Sequence, residues 1–186
     1  MSMYLSENGC DMCRIVLSGY FCTGKTSIMR RLNTELGLKK PKDFTTRSMR
    51  DGEKEGDPYF FITREQFSYL ESIGKLFDPI EYAGNMYAVD YDDLFQTRHW
   101  VMDILPDSWD KFSRIPRVIG VYLIPPAIEI LKERALSRGD SIASVGRRIN
   151  AIRPQNLSVY HYAIEPQESL DALFQRVKAI CQQALN

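Results

Sequence analysis

A glycine-rich segment near the start of the chain carries the residues best suited to bind phosphate. Residues 19–26 read GYFCTGKT and match the pattern Gly-x4-Gly-Lys-Thr. Glycine permits backbone angles closed to other residues, so successive N–H groups of the segment can point towards phosphate oxygens. Lys25 is placed to reach the β and γ phosphates of ATP or GTP, and Thr26 to bind magnesium through its hydroxyl. The predicted donor-nucleotide site comprises Gly19, Cys22, Thr23, Gly24, Lys25, Thr26 and Ser27.

A second set of anion-binding side chains follows in the segment TTRSMRDGEKEGDPYFF, residues 45–61. Arg47 and Arg50 offer two guanidinium groups, each able to bind a phosphate through two hydrogen bonds, and Tyr59 adds a phenol. We expect these arginines to lie without carboxylate partners until an anion neutralises them. The alternative is a pair of surface arginines bound to acidic residues of the same segment: Asp51, Glu53 or Glu55. Two separate phosphate-binding sites in one chain indicate phosphoryl transfer between two phosphate-bearing molecules.

The elements predicted around these motifs form an α/β fold. A buried strand over residues 14–18 precedes the glycine-rich segment, and a helix over residues 25–36 follows it and ends at Gly37. Short strands and a helix that begins at Thr63 then predict a small mixed insert. After the insert we predict strands at 100–105, 117–124 and 162–164, and helices near Trp109, at 127–137, beyond the polar stretch 137–152 to about Leu157, and from Glu168 to Ala184. This alternation predicts a parallel sheet with helices on both faces and a ligand site at the carboxyl ends of its strands.

The length, charge balance and apolar content of the whole chain restrict the kind of protein it can be and the partners it can bind. The 186 residues suffice for one core with at most a smaller mobile lobe, so we expect a single domain. Lys plus Arg balance Asp plus Glu at 24 each, which argues against nucleic acid or a membrane surface as the partner. No apolar stretch approaches the ~20 residues needed to cross a bilayer, and we expect a cytosolic protein. The Cys10-x-x-Cys13 pair lacks nearby further metal ligands, so we expect reduced, partly buried thiols.

The order of these motifs resembles that of the guanylate kinase-like family. The family shares a glycine-rich loop, then TTRxxRxGExxGxxYxF, a GNxYG-like stretch, a strand ending in D-I-D, an L-x-P-P segment and an R-G lid. The corresponding stretches of this chain are residues 19–26, 45–60, 84–88, 101–105, 123–126 and 138–139. The match covers nearly everything from Arg14 onward. It implies a P-loop NTPase-type parallel sheet flanked by helices, with a small mixed α/β acceptor-binding insert and a helical lid.

By the same resemblance, the chain is a nucleoside monophosphate kinase that uses ATP and magnesium, with GMP or dGMP as the expected acceptor. Its core would comprise residues 13–42 and 99–186, its acceptor-binding lobe about 43–98, and its lid about 134–150. The implied ligands of the acceptor phosphate are Arg47, Arg50, Tyr59 and Tyr87. The implied catalytic residues are Lys25, Arg134, Arg138 and Arg148, which would stabilise charge on the transferring phosphoryl group. Asp103 would lie beside magnesium or the acceptor, although without the resemblance an ordinary strand-end carboxylate is the better interpretation.

The positions that would read the acceptor base depart from the family's pattern. Asp43, Asp78 and Leu105 stand where the family has a small hydroxyl residue, a glutamate and the last aspartate of D-I-D. Asp43 and Asp78 can still accept hydrogen bonds from guanine, but Leu105 removes an acceptor. A buried base donor left unpaired costs about 1–3 kcal/mol, which weakens a preference for guanine. On the donor side, Ile164-Glu165-Pro166-Gln167 replaces the V-N-D-D segment of the family.

Two alternatives stay open at this point. A kinase of the same fold could act on a different base or on another phosphorylated small molecule, because the base-reading positions have changed. A non-catalytic guanylate kinase-like binding module is the second alternative. Such modules generally lack a complete phosphate loop, whereas Lys25 and Thr26 are both present here.

Overall fold

The computed structural model describes residues 12–185. The elements in chain order are β1 (Arg14–Ser18), α1 (Lys25–Leu36), β2 (Asp43–Thr45), β3 (Phe60–Phe61), α2 (Arg64–Ser72), β4 (Leu76–Tyr82), β5 (Asn85–Asp90), α3 (Tyr91–Gln96), β6 (Trp100–Ile104), α4 (Trp109–Phe112), β7 (Val118–Leu123), α5 (Ile128–Ser137), α6 (Ile142–Asn150), β8 (Tyr162–Ile164) and α7 (Leu170–Leu185). Short 3₁₀ turns at Pro106–Ser108 and Leu157–Val159 precede α4 and β8. None of the described helices is long and apolar enough to span a bilayer.

A four-stranded parallel sheet, in the order β6-β1-β7-β8, forms the centre of the fold and confirms the predicted α/β class. All five residues of β1 are buried, because this strand pairs on both edges and is covered on both faces. Ile15 and Leu17 point into a core shared with α1 and α7. Val16, which alternates with them, joins the aromatic core on the opposite face. The sheet therefore holds β1 rigidly, and with it the start of the glycine-rich segment.

The second core depends on one glycine of β7. A Cβ on Gly120 would lie 2.2 Å from the indole of Trp109, so no other residue fits without moving that ring. Trp109 is held in turn by stacking on Tyr160, with ring centroids 4.8 Å apart, and by donating its Nε1–H to the Val159 carbonyl at 3.1 Å. This packing places α4 against the sheet beside the carboxyl end of β6.

Residues of the predicted insert form a separate mixed sheet in the order β3-β2-β5-β4. The predicted start of α2 is confirmed: the Thr63 hydroxyl accepts the backbone N–H of Gln66, and the Gln66 side chain accepts the backbone N–H of Thr63. The short helix α3, which the sequence did not predict, begins after Asp90, whose carboxylate accepts the Asp93 N–H. The insert is thus a compact lobe that carries β2, β4 and β5 towards the main sheet.

The prediction of a helix that reaches about Leu157 is wrong. The helix of this region, α6, lies within the polar and basic stretch itself, where Ser141 caps its start through the Ser144 N–H. Proline has no backbone N–H and disfavours a helical conformation of the residue before it, so Pro154 prevents the helix from continuing. Beyond α6 the chain forms only the 3₁₀ turn at Leu157–Val159 before β8. The predicted final helix is confirmed in α7.

Candidate active site

The glycine-rich segment forms a tight loop between β1 and α1, as predicted. Gly19 has a φ of 149°, and a Cβ there would lie 2.8 Å from the Leu123 carbonyl oxygen of the neighbouring strand. Gly24, with a φ of 97°, is the residue before the first turn of α1. Gly19 is required because the neighbouring strand leaves no room for a Cβ, and Gly24 because its backbone is left-handed. The first turn of α1 holds no acidic residue, so the positive end of the helix is left for an anion.

Lys25 closes this loop with its own side chain. Its Nζ donates to the carbonyl oxygens of Gly19 at 2.6 Å and Tyr20 at 2.5 Å, and it lies 3.4 Å from the Thr23 hydroxyl. Burial lowers the pKa of Lys25 to about 8, and the negative charge of Asp103 opposes part of that shift. The ammonium is therefore held inside the loop in an environment that favours a nearby anion.

A cavity of about 680 Å³ is lined by residues of the loop, of the insert and of α5 and α6. The predicted site residues that line it are Cys22, Thr23, Gly24, Lys25, Thr26, Ser27, Asp43, Arg47, Arg50, Tyr59, Asp78, Tyr87, Asp103, Arg134, Arg138 and Arg148. Gly19 is the exception, because it supports the loop from behind, against β7. Residues more than a hundred positions apart in the chain thus meet around one space large enough for two small phosphorylated molecules.

The expectation that Arg47 and Arg50 lie without carboxylate partners is wrong. Arg47 makes a two-bond ion pair with Glu53, with both N···O distances 2.9 Å. Neither side chain is a surface group, since Arg47 is 9% and Glu53 13% exposed. Arg50 pairs with Asp140 of the lid at 2.9 Å, and its other terminal nitrogen lies 3.7 Å from Glu53. The alternative prediction, that Arg47 pairs with an acidic residue of its own segment, is therefore correct. The pair lies on the cavity wall, however, and not on the protein surface as that alternative assumed.

Three tyrosines that line the cavity contact one another. Tyr59 and Tyr87 meet edge to face with ring centroids 5.7 Å apart, and Tyr82 meets Tyr87 at 6.5 Å. Sequence reasoning missed Tyr82, although it follows Ile80 on the same face of β4 and also lines the cavity. Its hydroxyl is buried and has no hydrogen-bond partner among residues 12–185, and burial raises its pKa to about 12. A buried phenol without a partner is a donor available to a ligand.

Asp43 lies deeper in the cavity and is clamped by a lysine. Lys40 Nζ donates to the Asp43 carboxylate at 3.1 Å and to the Pro58 carbonyl at 2.6 Å. Burial nevertheless raises the pKa of Asp43 to about 7, because the attraction of Lys40 offsets the loss of solvent only in part and Asp103 adds repulsion. Lys40 precedes Asp43 by three residues, so the spacing of the two residues could have predicted this ion pair, but the sequence analysis did not include it.

Asp78 is turned towards the cavity by an irregularity in β4. The register of β4 against β5 shifts between Phe77 and Ile80, and Asp78 takes a left-handed φ of 52° just before Pro79. Its side chain is buried and forms an ion pair with Lys111 Nζ of α4, at 2.7 Å. Leu105 lines the same cavity. Asp43 and Asp78, both of the cavity lining, therefore each pair with a lysine, and the pair of Asp78 with Lys111 joins distant parts of the chain.

The lid places its three predicted arginines over the loop. Arg134 Nη1 donates to the Cys22 carbonyl at 3.1 Å. Arg138 and Arg148 both donate to Asp140, at 2.6 Å and 3.1 Å. Sequence reasoning missed Asp140, which is almost fully buried among these cations.

Two oxygen groups suit a magnesium ion at the mouth of the loop. The Thr26 hydroxyl lies in the first turn of α1, and Asp103 lies on β6, where its Oδ1 is buried without a partner in the described part of the chain. Hard oxygen ligands of this kind fit magnesium. Between residues 12 and 185, no three His, Cys, Asp or Glu side chains gather into a metal site of their own. A magnesium ion here would therefore be held mainly by nucleotide phosphates.

The cysteines and histidines have structural surroundings. Cys13 and Cys181 are buried in the core beside α7, and Cys10 lies outside the described residues. Cys22 of the loop is half-buried. His99 Nδ1 accepts the Cys13 N–H at 3.1 Å, and His161 Nδ1 accepts the Gly120 N–H at 3.0 Å. These contacts join segments of the fold and lie outside the cavity lining.

Comparison with known proteins agrees with this geometry. The family model for guanylate kinase matches residues 11–184. The guanylate kinase of Shouchella clausii (strain KSM-K16) is 30% identical over 175 residues, which cover 89% of this chain and 85% of that protein. The guanylate kinase of Bacillus subtilis (strain 168) is 30% identical over 183 residues, covering 89% and 86%. The crystal structure of guanylate kinase from Anaplasma phagocytophilum shares the fold, with a TM-score of 0.71 at 24% identity over 95% of this chain and 88% of that one. With a family model that spans nearly the whole sequence, this chain belongs to the guanylate kinase family.

Proposed function

We propose that this protein is a nucleoside monophosphate kinase that transfers the γ-phosphate of ATP to GMP or dGMP. The observation that carries the proposal is that one cavity is lined both by the glycine-rich loop with Lys25 and by Arg47, Arg50, Tyr59 and Tyr87 of the insert. Guanylate kinases about 30% identical to this chain over most of its length support guanine as the acceptor base.

In this proposal the loop binds the donor phosphates. Backbone N–H groups at the start of α1 and the Lys25 ammonium face the β and γ phosphates of ATP, while Arg138 and Arg148 close over them from the lid. Thr26 and Asp103 would hold magnesium, which supplies charge neutralisation between the β and γ phosphates when it is bound. Most of the catalysis is positioning and charge stabilisation, which explains why the site is rich in cations.

The insert holds the acceptor phosphate. Arg47 uses one side of its guanidinium for Glu53, which leaves the Nε–H and one Nη2–H for a phosphate. Tyr59 and Tyr87 add phenol donors on the same wall. Asp78 and Asp43 are the acceptors available to the N1–H and 2-amino groups of guanine. The cytosol is the expected compartment for such an enzyme.

A kinase of the same fold with a different acceptor is the second candidate. Its support is the base end of the cavity, where Lys40 and Lys111 already occupy the two carboxylates and Leu105 offers no hydrogen bond. A base that cannot displace these lysines would have to bind beside them. A non-catalytic module is the third reading, and the intact loop argues against it.

The test is steady-state kinetics with ATP, magnesium and a panel of monophosphates that includes GMP, dGMP, IMP, AMP, CMP, UMP and dTMP. We expect GMP and dGMP to give the highest kcat/KM. IMP, which lacks the 2-amino group, should fall behind GMP by about 10- to 100-fold if Asp78 or Asp43 accepts that group. If another monophosphate gives a much higher kcat/KM than GMP, guanine is not the preferred acceptor base.

A pair of lysine variants separates an enzyme from a binding module. Lys25→Ala removes the ammonium from the loop, and we expect turnover to fall by at least 100-fold. Lys132→Ala, an exposed lysine of α5 outside the cavity, is the matched control and should keep wild-type turnover. Equal background turnover in the wild type and both variants would favour the non-catalytic module.

A further inference from the structure

Asp140 joins the lid to the acceptor lobe. It lies between α5 and α6, and its side chain is 4% exposed. Its Oδ2 accepts Arg138 Nε at 2.6 Å and Arg148 Nη1 at 3.1 Å, both from the lid. Its Oδ1 forms an ion pair with Arg50 Nη2 of the acceptor lobe, at 2.9 Å. One carboxylate therefore fixes cations from the two parts of the molecule that would face the two substrates.

The geometry leaves these arginines able to bind phosphate. A guanidinium has five N–H donors; Arg138 and Arg148 each use one of them for Asp140, and Arg50 contacts it through an ion pair. Arg138 gives only its Nε–H to Asp140, so both of its terminal nitrogens remain for other acceptors. The carboxylate thus sets the direction of each group while leaving the phosphate-binding donors unused.

The carboxylate also stays charged in this position. Burial acts to raise the pKa of Asp140, but the hydrogen bond from Arg138 and the charges of Arg148, Arg138 and Arg50 outweigh it and hold the pKa below its usual value. Without this negative charge, three guanidinium groups would face one another in a partly buried space. Their repulsion would drive the lid and the acceptor lobe apart.

We propose that Asp140 is a positioning residue for phosphoryl transfer, which holds Arg138 and Arg148 of the lid in register with Arg50 of the acceptor lobe and so couples the binding of the two nucleotides. This inference rests on the proposed kinase function for its chemical step. The coupling itself follows from the contact: a lid tied to the lobe moves with it, so a donor that closes the lid also favours the arrangement that binds the acceptor.

Kinetics of Asp140→Asn test the positioning role. Asparagine keeps the size and one carbonyl acceptor but loses the charge, so Arg50 and the lid arginines can no longer all be held. We expect kcat to fall on the order of 10- to 100-fold, with the KM values for ATP and GMP changing less, because the loss falls on the transition state. Asp140→Glu, which restores the charge, should recover part of kcat. The control is Asp110→Asn, which removes an exposed ion pair with Arg114 outside the cavity and should leave kcat unchanged.

Binding measurements test the coupling without turnover. By calorimetry, the GMP affinity of the wild type should be several-fold higher when a nonhydrolysable ATP analogue is bound than when it is absent. In Asp140→Asn this ratio should approach one. Thermal unfolding of each variant checks that the fold is retained, and Asp140→Ser, which also removes the charge, is used in place of Asp140→Asn where that variant unfolds.

The outcomes separate this proposal from the kinase function. An active wild type whose Asp140→Asn variant keeps both kcat and the affinity ratio would overturn the positioning role and leave the kinase function intact. A variant with a lower KM for GMP and an undiminished kcat would also overturn it, because Asp140 would then compete with phosphate for Arg50. If the wild-type protein phosphorylates no monophosphate, the proposed kinase function is wrong. If, in addition, the ratio of GMP affinities is the same in the wild type and in Asp140→Asn, the coupling is wrong as well.

Discussion

The buried ion pair between Arg47 and Glu53 allows the sharpest stability prediction. Glu53→Gln removes the negative charge that both terminal nitrogens of Arg47 contact, each at 2.9 Å, and that also accepts the Arg50 backbone N–H at 2.8 Å. Breaking a fully buried pair costs about 3–5 kcal/mol, because the remaining charge is left uncompensated. Here the two side chains keep some contact with solvent and glutamine retains one acceptor oxygen. We therefore expect the free energy of unfolding to fall by about 2–3 kcal/mol.

The assay is chemical denaturation of the nucleotide-free protein, supported by thermal melts. A loss of this size lowers Tm by roughly 4–12 °C in a chain of this length. Raising the salt concentration to about 1 M should not reproduce the effect in the wild type, since buried pairs are screened little. Burial acts against ionisation of Glu53, but the hydrogen bond from Arg47 and neighbouring charges lower its pKa, so the pair persists at neutral pH.

Glu55→Gln is the matched control in the same loop. Glu55 is exposed and accepts only the Phe61 backbone N–H, at 3.2 Å and 3.5 Å, which glutamine can still do. We expect a change within about 0.5 kcal/mol. If Glu53→Gln proves as mild as Glu55→Gln, Arg47 is not held by a buried partner and the description of the cavity wall is incorrect.

Three further predictions concern the core, the cavity wall and the loop. Gly120→Ala forces a Cβ against Trp109 and should cost about 1–3 kcal/mol in chemical denaturation; an unchanged midpoint would contradict the packing. Tyr82→Phe removes an unpaired buried hydroxyl and should stabilise the nucleotide-free protein by about 1 kcal/mol, and a loss of stability would reveal a missing partner. Because the Lys25 pKa is about 8, its charge is lost as pH rises, so ADP affinity should weaken from pH 8 to 9, whereas Lys25→Arg should show a flat profile by calorimetry.

The parts of the fold that could be predicted are those encoded by neighbouring residues. The alternation of Ile15, Val16 and Leu17 between two cores is visible as a short apolar run, and Gly37 ends α1 with a left-handed φ of 69°. The pattern Gly-x4-Gly-Lys-Thr likewise predicts the tight loop of residues 19–26 from eight consecutive residues. The helix α6 was misplaced because its amphipathic pattern lies inside a stretch rich in polar residues, where composition hid the period.

The sequence predicted residues that the structure brings to one cavity, but it did not predict their ion pairs. Sequence spacing identified the arginines because their type already implies phosphate binding. It could not show that Asp140 meets Arg50, ninety positions earlier, or that Lys111 meets Asp78. Such partners are chosen by tertiary packing, and any of the 24 acidic residues could have served in principle. The mistaken expectation of unpartnered arginines followed directly from this limit.

These ion pairs explain how a chain with no net charge can hold a cation-rich site ready for phosphate. Glu53 and Asp140 form ion pairs with four arginines that line the cavity: Arg47, Arg50, Arg138 and Arg148. The two carboxylates are too few to neutralise the arginines, so the cluster keeps an attraction for anions, but they suffice to hold each guanidinium in place. A site organised before its substrates bind needs little rearrangement when charge develops in the transition state. In the proposed kinase, the carboxylates would therefore serve phosphate binding, although each of them carries the same sign of charge as phosphate.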